Sequence, residues 1–116
     1  MTSRKMDDCI PELQDKFILF RAKMTEAGID FILTSTFRDQ ESQKELYEQG
    51  RTKPGRIVTW TLKSKHILGE AFDIAILKYG KITWDEKDYK QAAEIGRSVG
   101  LRAGADFGDF PHFEVS

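Results

Sequence analysis

Apolar and polar side chains follow each other with periods that predict helices in some segments and strands in others. The first apolar stripe has helical spacing and predicts a helix over about residues 11–27, with Pro11 in its first turn and Gly28 at its end. The apolar members of this stripe are Leu13, Phe17, Phe20 and Met24. We expect this face of the helix to pack on the core.

Two further elements are predicted before the middle of the chain. The run Phe31–Thr36 is rich in β-branched and aromatic residues, which indicates a strand. A polar helix is expected over about Asp39–Gln49, ended by Gly50. The segment GRTKPGR follows, and its two glycines and one proline predict a mobile basic loop.

The segment AFDIAIL, Ala71–Leu77, predicts a central strand with two different faces. Every second residue from Phe72 is large and apolar, whereas Asp73 shares the other face with Leu77 and two alanines. The alanines leave space around the Asp73 carboxylate. A carboxylate in an apolar strand is costly unless a cation or strong hydrogen-bond donors accompany it.

The remainder of the chain completes an α+β pattern. A hairpin leads to a short strand at 81–83, and Asp85 caps a helix over about Glu86–Val99. The last segment is rich in glycine and ends in HFEV, a strand in which His112 and Glu114 share one face. This order predicts a small single α+β domain of all 116 residues, with a central antiparallel sheet flanked by helices.

Composition and charge narrow the possible functions. Apolar residues make up 40% of the chain and charged residues 32%, which is typical of a soluble globular domain. The 18 basic and 19 acidic residues provide no net field that favours nucleic acid, so no nucleic-acid partner is expected. No apolar run approaches the roughly 20 residues that span a bilayer, so no membrane insertion is expected. No feature of the sequence requires an oligomer, so we expect a monomer.

The N-terminal sequence and the single cysteine indicate the cellular compartment in which the chain is made. MTSRKMDDCIPEL lacks the apolar region of a secretory signal, so we expect synthesis in the cytoplasm without a signal peptide. The single cysteine, Cys9, cannot form an internal disulfide. Its acidic neighbours oppose thiolate formation, so we interpret Cys9 as structural rather than nucleophilic.

The chain has two histidines, and both have unusual neighbours: His66 lies in SKHILGEAFD and His112 lies in DFPHFE. A catalytic zinc ion takes three protein ligands of nitrogen and oxygen type and keeps a fourth position for water. His66, Asp73 and His112 supply that number and are the candidate ligands of one zinc ion. The alternatives are structural or exposed histidines, and a salt bridge from Asp73 to a lysine or arginine.

Four other polar residues are candidates for the same site. Asp109, three residues before His112, could take a proton from the attacking water and pass it to the leaving amine. GDFP is also typical of a turn, so Asp109 could equally be a loop residue. Arg38 follows the first strand and could bind a substrate carbonyl, although surface arginines are common. Ser64 and Glu114 could orient a metal ligand by hydrogen bonding.

These motifs resemble those of a known family. SKHILGEAFD resembles the Ser-x-His-x-x-Gly-x-Ala-x-Asp signature of the M15 zinc peptidases, which cleave bacterial cell-wall peptides. DFPHFE resembles the closing segment of that family, and TSTFRD resembles its Ser-x-x-Arg stretch. GLRAGADFGDFPHFE is similar to the tail of the L-alanyl-D-glutamate endopeptidases, a subgroup that includes phage endolysins and host-wall enzymes. The resemblance extends from about Phe31 to the C-terminus.

The resemblance implies a fold of the Hedgehog/DD-peptidase type and a role for each matching residue. The implied roles are one Zn²⁺ ion held by His66, Asp73 and His112, Asp109 as general base, Arg38 as the carbonyl-polarising residue and Ser64 as the signature serine. The chain departs from the family pattern at Ala103, where members often carry Trp, and in a short connection before Asp109. We expect both departures to lie near the substrate cleft.

The function implied is that of a zinc-dependent peptidoglycan endopeptidase, an endolysin that hydrolyses the L-Ala–D-Glu bond of the stem peptide and lyses the bacterial wall. A separate membrane-permeabilising protein would release it to the wall. No separate wall-binding module is expected, so the catalytic domain itself would recognise peptidoglycan, with the basic GRTKPGR loop either contributing or simply solvated. The alternatives are a D-alanyl-D-alanine carboxypeptidase on the same zinc site and a catalytically silent metal-binding or wall-binding domain.

Overall fold

Three α-helices and an antiparallel sheet make up the described part of the computed structural model, residues 1–57, 59 and 64–116. The helices are α1 Pro11–Glu26, α2 Gln40–Glu48 and α3 Glu86–Ser98. The strands are β1 Asp30–Ser35, β2 Ala71–Lys78, β3 Lys81–Thr83, β4 Leu101–Ala103 and β5 His112–Val115. The predicted α+β class is confirmed. None of these helices is both long and apolar enough to cross a membrane.

Strand β2 is the centre of the sheet. β1 pairs with one edge of β2, while β5 pairs with Ala71–Asp73 and β3 with Ile76–Lys78 on the other edge. β4 pairs with the outer edge of β5. The register places His112 opposite Asp73, so these two side chains project from the same face of the sheet.

The opposite face of the sheet carries the core. Phe72 and Phe113 lie opposite each other with ring centroids 5.3 Å apart, and Phe20 of α1 packs 4.9 Å from Phe113. All four apolar residues of the predicted α1 stripe are buried, which confirms that prediction. Fully burying an aromatic or aliphatic side chain of this size stabilises a fold by about 1.5–3 kcal/mol. The helices α1 and α3 therefore pack on one face of the sheet, and the other face carries polar side chains.

Local hydrogen bonds explain where the helices begin. The Asp39 carboxylate accepts from the Ser42 amide at 2.9 Å, so Asp39 is the cap of α2 and the helix starts one residue later than predicted. The Asp85 carboxylate accepts from the Lys87 amide at 3.1 Å, which confirms the predicted cap of α3. The short strand β4 was not predicted, because three residues carry too little periodicity and its existence depends on pairing with β5.

One sequence expectation about the substrate cleft is wrong. Ala103 is fully buried in the core and pairs with Phe113. Side chains alternate along β4, so Leu101 and Ala103 share the core face while Arg102 projects on the face of Asp73 and His112. The replacement of the family's Trp at Ala103 therefore changes the core and not the cleft.

The single cysteine is part of the same core. Cys9 is 6% exposed and its sulfur lies 4.0 Å from the carbonyl oxygen of Ala71. Burial, with a smaller contribution from Asp8, raises the pKa of the Cys9 thiol to about 11 although a hydrogen bond with Thr36 opposes the shift. A protonated, buried thiol agrees with the interpretation of Cys9 as structural.

Candidate active site

A cleft of about 460 Å³ opens on the sheet face opposite the core. The cleft is lined by all seven residues that the sequence predicted for a site: Arg38, Ser64, His66, Asp73, Asp109, His112 and Glu114. They come from the connection between β1 and α2, from the turn before β2, from β2 itself, and from β5 and the segment that leads into it. The fold thus brings together side chains that are up to 76 positions apart in sequence, from Arg38 to Glu114.

His66 is placed by the turn between residues 64 and 70. Its amide donates to the Ser64 hydroxyl at 3.2 Å, and its carbonyl accepts from Arg38 and Gly69. Gly69 has φ +68°, a left-handed conformation that glycine adopts without strain. The turn reverses the chain tightly enough for His66 to reach across to Asp73 on β2.

Three ligand atoms converge at the centre of the cleft. His66 Nε2 lies 3.3 Å from Asp73 Oδ2, and His112 Nδ1 lies 3.0 Å from Asp73 Oδ1. The three residues offer ligand atoms that all lie within 4.8 Å of one another. Two imidazoles and one carboxylate form a donor set typical of catalytic zinc sites.

The outer partners of the two imidazoles fix which ring nitrogens carry hydrogen. His66 Nδ1 lies 2.6 Å from the carbonyl oxygen of Thr36, so this nitrogen must donate. His112 Nε2 lies 2.8 Å from Glu114 Oε1 and likewise donates in the neutral ring. The inward nitrogens of both neutral rings then present lone pairs toward the Asp73 carboxylate. Facing acceptors repel one another unless a cation lies between them. In the metal-free protein a proton between His112 Nδ1 and Asp73 serves this purpose, and the same nitrogen and oxygen atoms fit a metal ion.

The pKa shifts of Asp73 and His112 also indicate a site that attracts a cation. Burial disfavours the Asp73 carboxylate, but hydrogen bonds and charge interactions with His112 and His66 outweigh it and hold the Asp73 pKa well below its usual range. Burial also disfavours the His112 imidazolium, yet hydrogen bonding to Asp73 and Glu114 raises the His112 pKa. The site therefore keeps a carboxylate ionised and attracts positive charge to its centre.

Asp109 lies at the rim of this centre and not in a remote loop. Its Oδ2 is 3.9 Å from His112 Nδ1, and its side chain is 57% exposed. Partial burial and the negative charge of Asp73 raise the Asp109 pKa. A carboxylate with a raised pKa, open to the cleft and close to the candidate metal, has the properties of a general base.

A glycine supports the turn that carries Asp109 and His112. Gly104 begins a short 3-10 helix, Gly104–Phe107, and its carbonyl accepts from the Asp109 amide at 2.8 Å. A Cβ on Gly104 would overlap the Asp109 carbonyl oxygen and would lie 2.7 Å from His112 Cβ. The backbone approaches so closely here that only glycine fits, a role that the sequence analysis did not assign.

Arg38 is held with its guanidinium in the cleft wall. Its Nη1 donates to Gln43 Oε1 at 2.7 Å and its Nη2 to the Ser35 hydroxyl at 3.0 Å, while Nε is buried without a hydrogen-bond partner among the described residues. Burial lowers the Arg38 pKa, and the charge of Asp73 opposes that shift. Gln43 is fully buried and was missed by the sequence analysis, because a glutamine in a polar helix gives no signal that it faces inward.

Ser64 and Glu114 both contact a candidate ligand, as the sequence suggested. Ser64 accepts from the His66 amide, and Glu114 accepts from His112 Nε2. The Glu114 side chain is only 8% exposed, and its second oxygen lies 3.3 Å from Lys65 Nζ. Lys65 is a further cleft residue that the sequence analysis did not single out.

Comparison with known proteins assigns the chain to a family. Residues 2–114 match the family described as phage L-alanyl-D-glutamate peptidase. The chain belongs to this family. The peptidoglycan L-alanyl-D-glutamate endopeptidase CwlK of Bacillus subtilis is 36% identical in an alignment that covers 93% of this chain and 74% of CwlK.

A solved structure has the same fold as this member of the phage L-alanyl-D-glutamate peptidase family. The L-Ala D-Glu endopeptidase ChiX of Serratia marcescens superimposes with a TM-score of 0.80, covering 100% of this chain and 89% of ChiX. The two sequences are 22% identical, so this likeness concerns the fold. The resemblance seen in the sequence motifs is thus confirmed at the level of both family and architecture.

Proposed function

We propose that this protein is a zinc-dependent peptidoglycan endopeptidase that hydrolyses the L-Ala–D-Glu bond of the stem peptide. Membership of the phage L-alanyl-D-glutamate peptidase family supports the reaction and the bond. The observation that carries the zinc assignment is the convergence of His66, Asp73 and His112, with both imidazole N–H groups turned outward. One Zn²⁺ ion is the cofactor of this proposal.

His66 Nε2, His112 Nδ1 and an oxygen of Asp73 would hold the ion. When bound, zinc polarises a carbonyl and makes water available as a nucleophile near neutral pH. The Thr36 carbonyl and the Glu114 carboxylate keep the two imidazoles in the tautomers and orientations that ligation needs. The protein therefore prepares the site before any ion arrives.

Asp109 is the proton carrier in the proposed reaction. Its carboxylate takes a proton from the attacking water and delivers it to the amide nitrogen of D-Glu as the bond to L-Ala breaks. Its position beside His112 and its exposure to the cleft allow contact with both water and substrate. General acid–base catalysis of this kind contributes about 10²–10⁴-fold to a rate.

Arg38 binds the carbonyl oxygen of the scissile bond in this proposal. Gln43 and Ser35 fix the guanidinium plane, and Arg38 lines the cleft beside the candidate ligands. A preorganised cation stabilises the negative charge that develops on that oxygen during attack. Ser64 supports the His66 turn, so its contribution is positional.

The biological setting is part of the proposal. We infer an endolysin of phage or prophage origin that is made in the cytoplasm, reaches the wall after membrane permeabilisation and acts there as a monomeric catalytic domain. The stem peptide is its partner, and the basic loop at residues 50–56 is exposed and available to contact the wall. No nucleic acid and no membrane insertion enter this scheme.

Mass spectrometry of muropeptides tests the bond directly. We expect purified peptidoglycan digested by the protein to yield new N-terminal D-Glu peptides and muramyl-L-Ala fragments. Arg97 pairs with Asp106 away from the cleft, so Arg97→Gln is a matched control for Arg38→Gln, which we expect to lose most of the activity. Release of terminal D-Ala from intact stem peptides, with no cut after L-Ala, would identify a carboxypeptidase. Intact muropeptides would identify a silent binding domain.

A further inference from the structure

Two cations surround one buried carboxylate on the wall of the cleft. Lys65 Nζ donates to the Val115 carbonyl at 2.9 Å and lies 3.3 Å from Glu114 Oε2. Arg102 Nη1 lies 3.9 Å from the same oxygen. The pairing of β4 with β5 places Arg102 directly beside Glu114 on the sheet face that carries the site. We call this group of Lys65, Glu114 and Arg102 the cationic wall.

The cationic wall carries an excess of positive charge. Glu114 supplies one negative charge, and its other oxygen is engaged by His112 Nε2. Lys65 Nζ donates one hydrogen bond, to the Val115 carbonyl, and its contact with Glu114 is an ion pair at 3.3 Å. An ammonium group has three N–H donors, so Lys65 keeps donors that have no hydrogen-bond acceptor among the residues that the structure describes. The three side chains of the wall therefore carry a net charge of +1, and the Asp106 carboxylate, which pairs with Arg97, also lies close enough to Arg102 to interact with its charge.

The wall faces the substrate space. Lys65 is 37% exposed in its side chain and lines the cleft immediately before the candidate ligand His66. The Arg102 guanidinium lies 4.8 Å from the centre of the Phe107 ring, and Phe107 lines the cleft beside Asp109. An anion bound next to the proposed base and metal would therefore lie within reach of the wall.

The proposed substrate presents an anion at this place. In the stem peptide the D-Glu residue continues the chain through its side-chain carboxyl group, so its α-carboxylate is free. That carboxylate carbon lies about 2.5 Å from the nitrogen that leaves when the bond to L-Ala breaks. A group that recognises this carboxylate must therefore lie beside the residues that carry out the reaction, as Lys65 does.

We propose that Lys65, with Arg102, binds the free α-carboxylate of the D-glutamate on the leaving side of the scissile bond. The inference rests on the proposed function and adds a specificity: the enzyme distinguishes D-Glu from its α-amide, D-isoglutamine. The amide has the same shape and lacks the charge. The cations attract the carboxylate by a full charge–charge interaction and the neutral carboxamide only through its dipole, so the discrimination is carried by the charge of Lys65 and Arg102.

Two synthetic peptides that differ only in this group test the proposal. Each is an N-acylated L-Ala–γ-D-Glu–L-Lys peptide, one with the free α-carboxylate and one with the α-carboxamide, and kcat/KM is measured for the zinc-loaded enzyme. We expect the wild type to favour the acid by about tenfold or more. Lys65→Met should reduce that ratio to near one, Lys65→Arg should keep most of it, and Arg102→Met should reduce it partly. Lys87→Met, a charge loss on α3, should leave the ratio unchanged.

The ratio of kcat/KM for the acid peptide to that for the amide peptide distinguishes two roles of Lys65. Lys65 could recognise the substrate carboxylate, or it could only hold Glu114 in place. If Lys65→Met lowers kcat/KM by the same factor for both peptides, Lys65 acts only through Glu114 and His112, and the proposal is overturned. Equal cleavage of both peptides by the wild type also overturns it, while leaving the proposed function intact. If neither peptide is cut after L-Ala, the proposed function fails and the carboxylate site fails with it.

Discussion

Asp109→Asn is expected to lower kcat by about 10²–10⁴-fold while the protein still binds zinc. Asparagine has nearly the shape of aspartate but cannot accept a proton from water and return it to the leaving nitrogen. Asp109 is not among the three converging ligand residues, so its charge is not needed to hold the ion. Single-turnover cleavage of a stem peptide and zinc content of the same sample measure the two properties separately.

Asp106 provides the matched control for this variant. Asp106 lies three residues before Asp109 and its carboxylate pairs with Arg97 outside the cleft. Asp106→Asn makes the same substitution only three residues away, and we expect activity close to that of the wild type. An Asp109→Asn enzyme with full activity would show that another group carries the proton. Loss of zinc together with activity would instead make Asp109 part of the metal site.

Gly104→Ala is expected to damage the site through the backbone. The added methyl group would overlap the Asp109 carbonyl oxygen and would lie within 2.8 Å of the His112 carbonyl oxygen. Neither contact involves a flexible side chain that could move aside, so the turn from Asp109 to His112 must shift. We expect about 3 kcal/mol of lost stability and a zinc affinity lowered by about 10–100-fold. Thermal unfolding and zinc competition with a chelator give the two values.

Gly96→Ala separates site damage from general overpacking. Its Cβ would lie 2.6 Å from the Phe113 ring in the core, an equally tight contact that does not involve the cleft. We expect about 1–3 kcal/mol of lost stability with zinc affinity close to that of the wild type. A Gly104→Ala protein that loses stability but binds zinc as tightly as Gly96→Ala would contradict the positioning role of Gly104.

The sequence predicted the fold where side-chain periods were strong. The α1 stripe and the alternation of AFDIAIL each extend over several residues, and both are observed. β4 is three residues long and depends on its partner β5, so local pattern could not reveal it. The misplacement of Ala103 has the same origin: without β4 there was no alternation to assign its side chain to the core.

The sequence predicted the candidate site where residue types were rare. Two histidines in a 116-residue chain, with one carboxylate in an apolar strand, indicated a metal site before any geometry was known. The supporting contacts depend on segments distant in sequence. The Thr36 carbonyl that orients His66 is a backbone atom just after β1, and Gln43 becomes a partner of Arg38 only when α2 packs beside the cleft. Such contacts cannot be predicted from the residue types alone.

Zinc titration of the chelated protein tests the central claim most directly. The protein is stripped with EDTA, the chelator is removed, and cleavage of a stem peptide after L-Ala is followed as zinc is added. We predict no cleavage without metal and full recovery at one zinc ion per chain, because His66, Asp73 and His112 form a single candidate site among the described residues. Full cleavage by the metal-free protein, or recovery that requires more than one ion per chain, would contradict it.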